Sequence, residues 1–145
     1  MKARVKWVEG LTMLGESGSG HALVMDGPPE SGGRNLGARP MEMLLLGMGG
    51  CTQIDVLQIL HKTRQQVTEC IVELEAERAA KDPKVFIHIH AYFIVSGYNL
   101  KPEKVERAIE LSAQKYCSAS IMLGAMAKIS YDYKIRGGAQ ESEGA

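Results

Sequence analysis

Apolar and polar residues alternate at the N-terminus. Ala3, Val5 and Trp7 stand against Arg4 and Lys6, a period of two that predicts a strand. Gly10 to Gly20 carries a second short segment and a glycine-serine turn. His21 to Met25 reads as a returning strand, ended by Asp26-Gly27-Pro28-Pro29, and Ser31 to Gly37 is a glycine-rich loop. The first quarter of the chain is therefore expected to be a small antiparallel meander. From Pro40 to Lys62 the period lengthens. Met43, Leu44, Met48, Cys51, Ile54 and Leu57 follow helical spacing, and Pro40 suits a first helical position. Leu45, Leu46, Val56, Ile59 and Leu60 make the remaining faces apolar too, which predicts a buried helix. A chain of 145 residues has little material to enclose so long a helix, and this predicts a partner subunit. The Gly47-x-Gly49-Gly50 run costs about 1 kcal/mol per glycine relative to alanine. It is tolerated where another backbone packs, or where the helix breaks; a break would place Cys51 at a fresh helix N-terminus.

Beyond Val67 the period returns to two. Thr68, Cys70, Val72, Leu74 and Ala76 share one face, with Glu69, Glu73, Glu75 and Glu77 on the other. Lys81-Asp82-Pro83 turns the chain into a second strand, whose apolar face is Val85, Ile87, Ile89, Ala91, Phe93 and Val95, with His88 and His90 opposite. Pro102 to Tyr116 predicts an amphipathic helix with Val105, Ala108, Ile109, Ser112 and Tyr116 inward. Ser118 is of the right type to cap a short helix reaching about Ala125. Ala127 to Arg136 alternates as a last strand. The order is that of an α+β fold, with one domain over residues 1–136 and a disordered polar tail over 137–145.

Composition narrows the function. Seventeen basic and seventeen acidic residues give no net charge, which argues against a partner held by bulk electrostatics: no nucleic acid and no membrane. The apolar tract around Met41 to Met48 is short of a membrane span, and the first residues lack a signal peptide's apolar stretch. These features predict a cytoplasmic protein with its thiols reduced. Three cysteines without a CxxC do not suggest a disulfide scaffold. Cys70, in line with Val72 and Leu74, reads as a small core residue. Cys51 follows two glycines and has open surroundings. Cys117 lies at a helix junction where free backbone N–H groups can stabilise a thiolate. On spacing alone, both are either buried hydrophobes or reactive thiols. Glu42, in the first turn of the long helix, suits the helix dipole and could also orient an arginine beside a thiol. His88 and His90 share a strand face compatible with metal ligation, although no third ligand is placed by spacing, and a solvated strand face is the preferred reading.

Ala38-Arg39-Pro40-Met41-Glu42-Met43-Leu44, Gly49-Gly50-Cys51-Thr52-x-Ile54-Asp55-Val56 and Glu110 to Ser118 together resemble the OsmC/Ohr family of thiol-dependent organic hydroperoxide reductases. With Ala3 to Leu11, they are most similar to its YhfA-like branch. The resemblance implies an OsmC-like α+β fold in which antiparallel sheets wrap long central helices in an intertwined homodimer. It implies catalysis by Cys51 as peroxidatic and Cys117 as resolving cysteine, with Glu42 in support. The implied substrate is a small organic hydroperoxide and the implied reductant an external dithiol, with no cofactor and no metal. The family's peroxidases also place an arginine near the N-terminal hairpin, held by a glutamate directly after the proline. Here Glu9-Gly10-Leu11 has no arginine, and that position is Met41. Glu42 comes one residue later, about 100° around a helix. This departure keeps a second reading open: a non-catalytic OsmC-like dimer holding a small hydrophobic ligand in its interface cavity. A third is a metal-binding module built on His88 and His90.

Overall fold

The computed structural model describes residues 1–137. The chain groups into two compact units, Met1–Leu46 and the part from Gly47 onward. In the first, β1 (Ala3–Glu9), β2 (Thr12–Ser17) and β3 (Ala22–Met25) form an antiparallel meander in the order β1-β2-β3. This is the sheet that the alternation predicts. Trp7 is indexed on the first turn by donating its Nε1–H to the carbonyl of Gly10 at 2.8 Å. Asp26, at the end of β3, holds the following loop. One carboxylate oxygen accepts the backbone N–H of Gly27 (2.7 Å), and the other accepts the Thr12 hydroxyl (3.1 Å) and the N–H of Leu36 (3.2 Å).

Helix α1 (Pro40–Lys62) starts where the proline predicts. The Glu42 carboxylate accepts the backbone N–H of Arg39 at 2.7 Å, the returning half of a capping box. α1 runs unbroken through the glycines. The helix break expected as one option is absent, and Cys51 lies mid-helix, without a free N-terminal dipole. Gly49 explains part of the run: a Cβ there would lie 2.6 Å from Leu74 Cδ1, so the missing side chain lets α1 and the neighbouring strand approach closely.

In the second unit β4 (Gln66–Arg78) and β5 (Phe86–Tyr98) form the expected antiparallel hairpin. The register slips opposite Ile87, between the pairs Glu77–His88 and Arg78–Phe86. This bulge turns Phe86 inward and leaves Ile87 43% exposed, against the inward position that strict alternation gives it. α2 (Pro102–Leu111) ends earlier than predicted. A single π turn, Ser112–Tyr116, follows it, then α3 (Ser118–Gly124) and β6 (Lys128–Gly137). The wider turn alters the phase, so Ser112 stays buried while Tyr116 is exposed rather than inward. β6 lies parallel to β5, because α2 and α3 carry the chain back across the sheet between the two strands. The antiparallel description thus holds for β1–β3 and for β4–β5, and β6 departs from it. The core of this unit is Val56 and Leu60 of α1, Ala91, Phe93 and Val95 of β5, and Val105, Ala108 and Ile109 of α2. Gly137 closes β6, and the rest of the expected tail lies outside the described residues.

Candidate active site

Two of the predicted site residues meet. Cys51 on α1 and Cys117 at the start of α3 are both free, and their sulfurs lie within 4.8 Å of each other. A carboxylate oxygen of Asp55 lies within the same distance of both. Asp55 joins them because it follows Cys51 by four residues, one turn along the same helix face. In the sequence Asp55 stands inside the Gly49-to-Val56 motif without a role of its own, and its i, i+4 spacing from Cys51 is the signal that joins it to the thiol.

The cluster is fixed by a buried hydroxyl pair. The Ser112 hydroxyl donates to Asp55 Oδ2 at 3.2 Å. Its single proton being so used, Ser112 Oγ accepts from the Thr52 hydroxyl at 2.8 Å. Thr52 and Ser112 are both fully buried. Ser112 also accepts, through its carbonyl, the backbone N–H of Cys117 at 2.8 Å, the bond that closes the π turn. One serine therefore sets both the carboxylate and the backbone of the second cysteine.

Cys117, not Ser118, caps α3. Its sulfur accepts the Ser120 backbone N–H at 3.3 Å and the Ser120 hydroxyl at 2.9 Å. Ser118 is of the usual capping type but sits one residue inside the helix. The Cys117 thiol is fully buried. Burial raises its pKa above the ordinary thiol value, the two Ser120 hydrogen bonds pull in the opposite direction, and the adjacent Cys51 raises it further. Cys51 is half-buried and is the more accessible member of the pair. Tyr131 of β6 borders the site: burial raises its pKa, hydrogen bonding with Ser120 lowers it, and charge on Cys117 raises it. Its ring stacks on Phe93, with centroids 6.4 Å apart. A cleft of about 320 Å³, lined by Asp55, Gln58, Ile59, Lys62, Leu111 and Tyr116, opens beside the carboxylate.

The other candidates lie elsewhere. Glu42 is occupied in capping α1, within the first unit. Arg39, beside it, donates to Asn35 and to the carbonyl of Gly37. An arginine does reach the N-terminal hairpin, from the glycine-rich loop rather than from the hairpin's own sequence: Arg34 Nη2 lies 3.3 Å from Thr12 Oγ1 and 3.5 Å from Glu9 Oε2. Cys70 keeps its core-facing position, and burial raises its thiol pKa. His88 Nε2 and His90 Nδ1 share the Ser130 hydroxyl at 3.2 and 2.7 Å. Among the described residues no carboxylate or thiol completes a three-ligand set with them. Among the described residues of the second unit, no Lys, Arg or His ion-pairs with or hydrogen-bonds to Cys51, Asp55 or Cys117.

Known proteins are similar to this chain throughout. The family described as OsmC-like protein matches residues 32–132. Protein YhfA of Escherichia coli strain K12 is 51% identical over 135 residues, covering 93% of this chain and 98% of that one. A chain solved in structural genomics is 48% identical with a TM-score of 0.86, covering 95% of this chain and 100% of its own length. The organic hydroperoxide resistance protein OhrB of Bacillus subtilis is 15% identical with a TM-score of 0.63, covering 92% of this chain and 98% of that one, and shares the fold. The α+β architecture, the paired cysteines and these matches lead to one assignment: the chain belongs to the OsmC-like family.

Proposed function

We propose that the protein reduces organic hydroperoxides with its cysteine pair, as a homodimer in the reducing cytoplasm. The observation that carries this reading is the approach of the Cys51 and Cys117 sulfurs to within 4.8 Å while both remain free. The accessible Cys51, as thiolate, attacks the distal peroxide oxygen. The O–O bond breaks, an alcohol leaves with the proton, and Cys51 becomes a sulfenic acid. The Cys117 thiolate then attacks the Cys51 sulfur, water departs, and a disulfide forms. An external dithiol returns both sulfurs to the thiol state and is itself oxidised. Burial suits Cys117 to this second role, because a raised pKa keeps it a protonated bystander until the sulfenic acid forms beside it. Asp55, hydrogen-bonded through Ser112, is placed to accept the proton that Cys117 releases.

One observation favours the alternative of a non-catalytic dimer that binds a small hydrophobic ligand: the thiols have a carboxylate for company, and no cation among the described residues of their unit is hydrogen-bonded or ion-paired to the group. One experiment separates the two. The reduced protein is treated with an organic hydroperoxide and its free thiols are counted. The catalytic reading expects three thiols to become one, with an intramolecular Cys51–Cys117 disulfide by peptide mapping. Cys51→Ser should lose no thiols, and Cys117→Ser should stop at a trappable sulfenic acid. Unchanged thiols in the parent protein sink the catalytic reading and leave the ligand-binding one.

A further inference from the structure

We propose that the reduced cluster of Cys51, Cys117 and Asp55 is a binding site for a thiophilic divalent cation of the zinc class. The proposal shares its thiols with the hydroperoxide reading but does not depend on their peroxide chemistry. Three features carry it. The first is convergence: two sulfurs and a carboxylate oxygen all lie within 4.8 Å of one another. A tetrahedral zinc with Zn–S near 2.3 Å and Zn–O near 2.1 Å needs ligand separations of about 3.6–3.8 Å. The separations need shrink by no more than about 1.2 Å to reach those values.

The second feature is the shell behind the ligands. Ser112 fixes the carboxylate by donating to Oδ2, and Thr52 fixes Ser112 in turn. Ser120 donates two hydrogen bonds to the Cys117 sulfur. Outer partners of this kind orient ligands and spread a thiolate's charge. The third feature is electrostatic. Two thiolates and a carboxylate would place three negative charges together, and no basic side chain among the described residues of this unit pairs with them. Such a group either stays protonated or takes up a cation. Uptake balances as Zn²⁺ plus two thiols and one carboxylate giving a singly negative Zn(SCys)₂(OOC-Asp) centre and two released protons, with no change of oxidation state. Three protein ligands leave a fourth position open, the arrangement of a reactive or exchangeable metal rather than a closed structural one. The same geometry gives the metal a consequence: zinc occupying both sulfurs withholds them from peroxide.

The test titrates the reduced, chelator-treated protein with Zn²⁺ alone and measures heat and proton release. A parallel titration with Co²⁺ looks for a thiolate-to-metal charge-transfer band. The proposal expects one ion per chain, release of about two protons, and the charge-transfer band. Cys51→Ala should abolish binding while the helix stays folded by circular dichroism, alanine being the best helix former. Asp55→Asn should weaken it, and Ser112→Ala should weaken it by roughly 10–100-fold. No uptake by the parent protein overturns the proposal, as does uptake undiminished in Cys51→Ala or in Asp55→Asn. The hydroperoxide reading is judged separately, on metal-free protein, by disulfide formation. Failure of either experiment therefore does not decide the other.

Discussion

Asp26 shows what a single side chain does for the first unit. It is 1% exposed, and both oxygens are engaged by donors from β2 and from the loop that follows. Burial alone would raise its pKa. The hydrogen bonds from Leu36, Gly27 and Thr12 outweigh that, and the net shift is downward from 3.8. A carboxyl whose folded pKa is depressed stabilises the native state above its unfolded value, and that contribution is lost as pH falls through the folded value. The window therefore begins near pH 3.8 and extends below it. Asp26→Asn keeps the shape but turns one acceptor oxygen into a donor among donors. The variant is expected to melt several degrees below the parent near neutral pH, and to lose less of its remaining stability on acidification to about pH 3. Thermal unfolding by circular dichroism at both pH values checks this. Equal melting temperatures at neutral pH would remove the clamp from the account. Asp26 reads in the sequence only as the start of an Asp-Gly-Pro turn, because two of its three donors come from residues 10 and 14 positions away.

At the scale of elements, hydrophobic spacing marked what exists but not how it is joined. The start of α1 at Pro40, its length, and the β4–β5 hairpin all follow from periodicity and turn chemistry. The π turn does not, because one extra residue in a helical turn leaves no mark in the apolar spacing when the buried residue is a serine. The pairing partner of β6 is equally silent, since alternation describes a strand's faces and not its neighbour. The cap of α3 is equally hidden in the sequence, because Cys117 performs a task usually given to Ser118's residue type. Of the glycines in α1, Gly49 has a packing reason, while added Cβ atoms at Gly47 and Gly50 meet nothing within 4 Å. This makes Gly49 a local test. Gly49→Ala gains about 1 kcal/mol of helix propensity and meets only the flexible end of Leu74. Its effect on stability is expected to be close to zero. Gly49→Val adds branched bulk in the same place and is expected to cost about 1–3 kcal/mol. Urea unfolding midpoints measure both; a harmless valine would show that the close approach does not constrain the helix.

For the whole molecule, the decisive quantity is apolar surface on α1 that the described residues leave uncovered. By length and apolar composition alone the helix could cross a membrane. Yet Thr52, Val56 and Leu60 are fully buried, and Val56 and Leu60 pack with β5 and α2, so that side belongs to a protein core. Ile54 and Leu57, off that side, are 59% and 37% exposed. Each large aliphatic side chain moved from water into a packed interface contributes about 1.5–3 kcal/mol, and a second copy of the chain brings the same face, as a two-fold contact requires. The sequence carried this demand as a helix apolar all round, but it could not say which residues the chain's own sheet would cover. The homodimer proposed above therefore predicts a sedimentation mass of twice 15.8 kDa for the parent protein. Ile54→Lys places a charge on the uncovered face, where a solvated lysine costs a monomer little and an interface much. It should shift the equilibrium to the single-chain mass, while far-ultraviolet circular dichroism stays close to that of the parent. If the parent sediments as a single chain, or if Ile54→Lys remains fully dimeric, the face around Ile54 is not the contact.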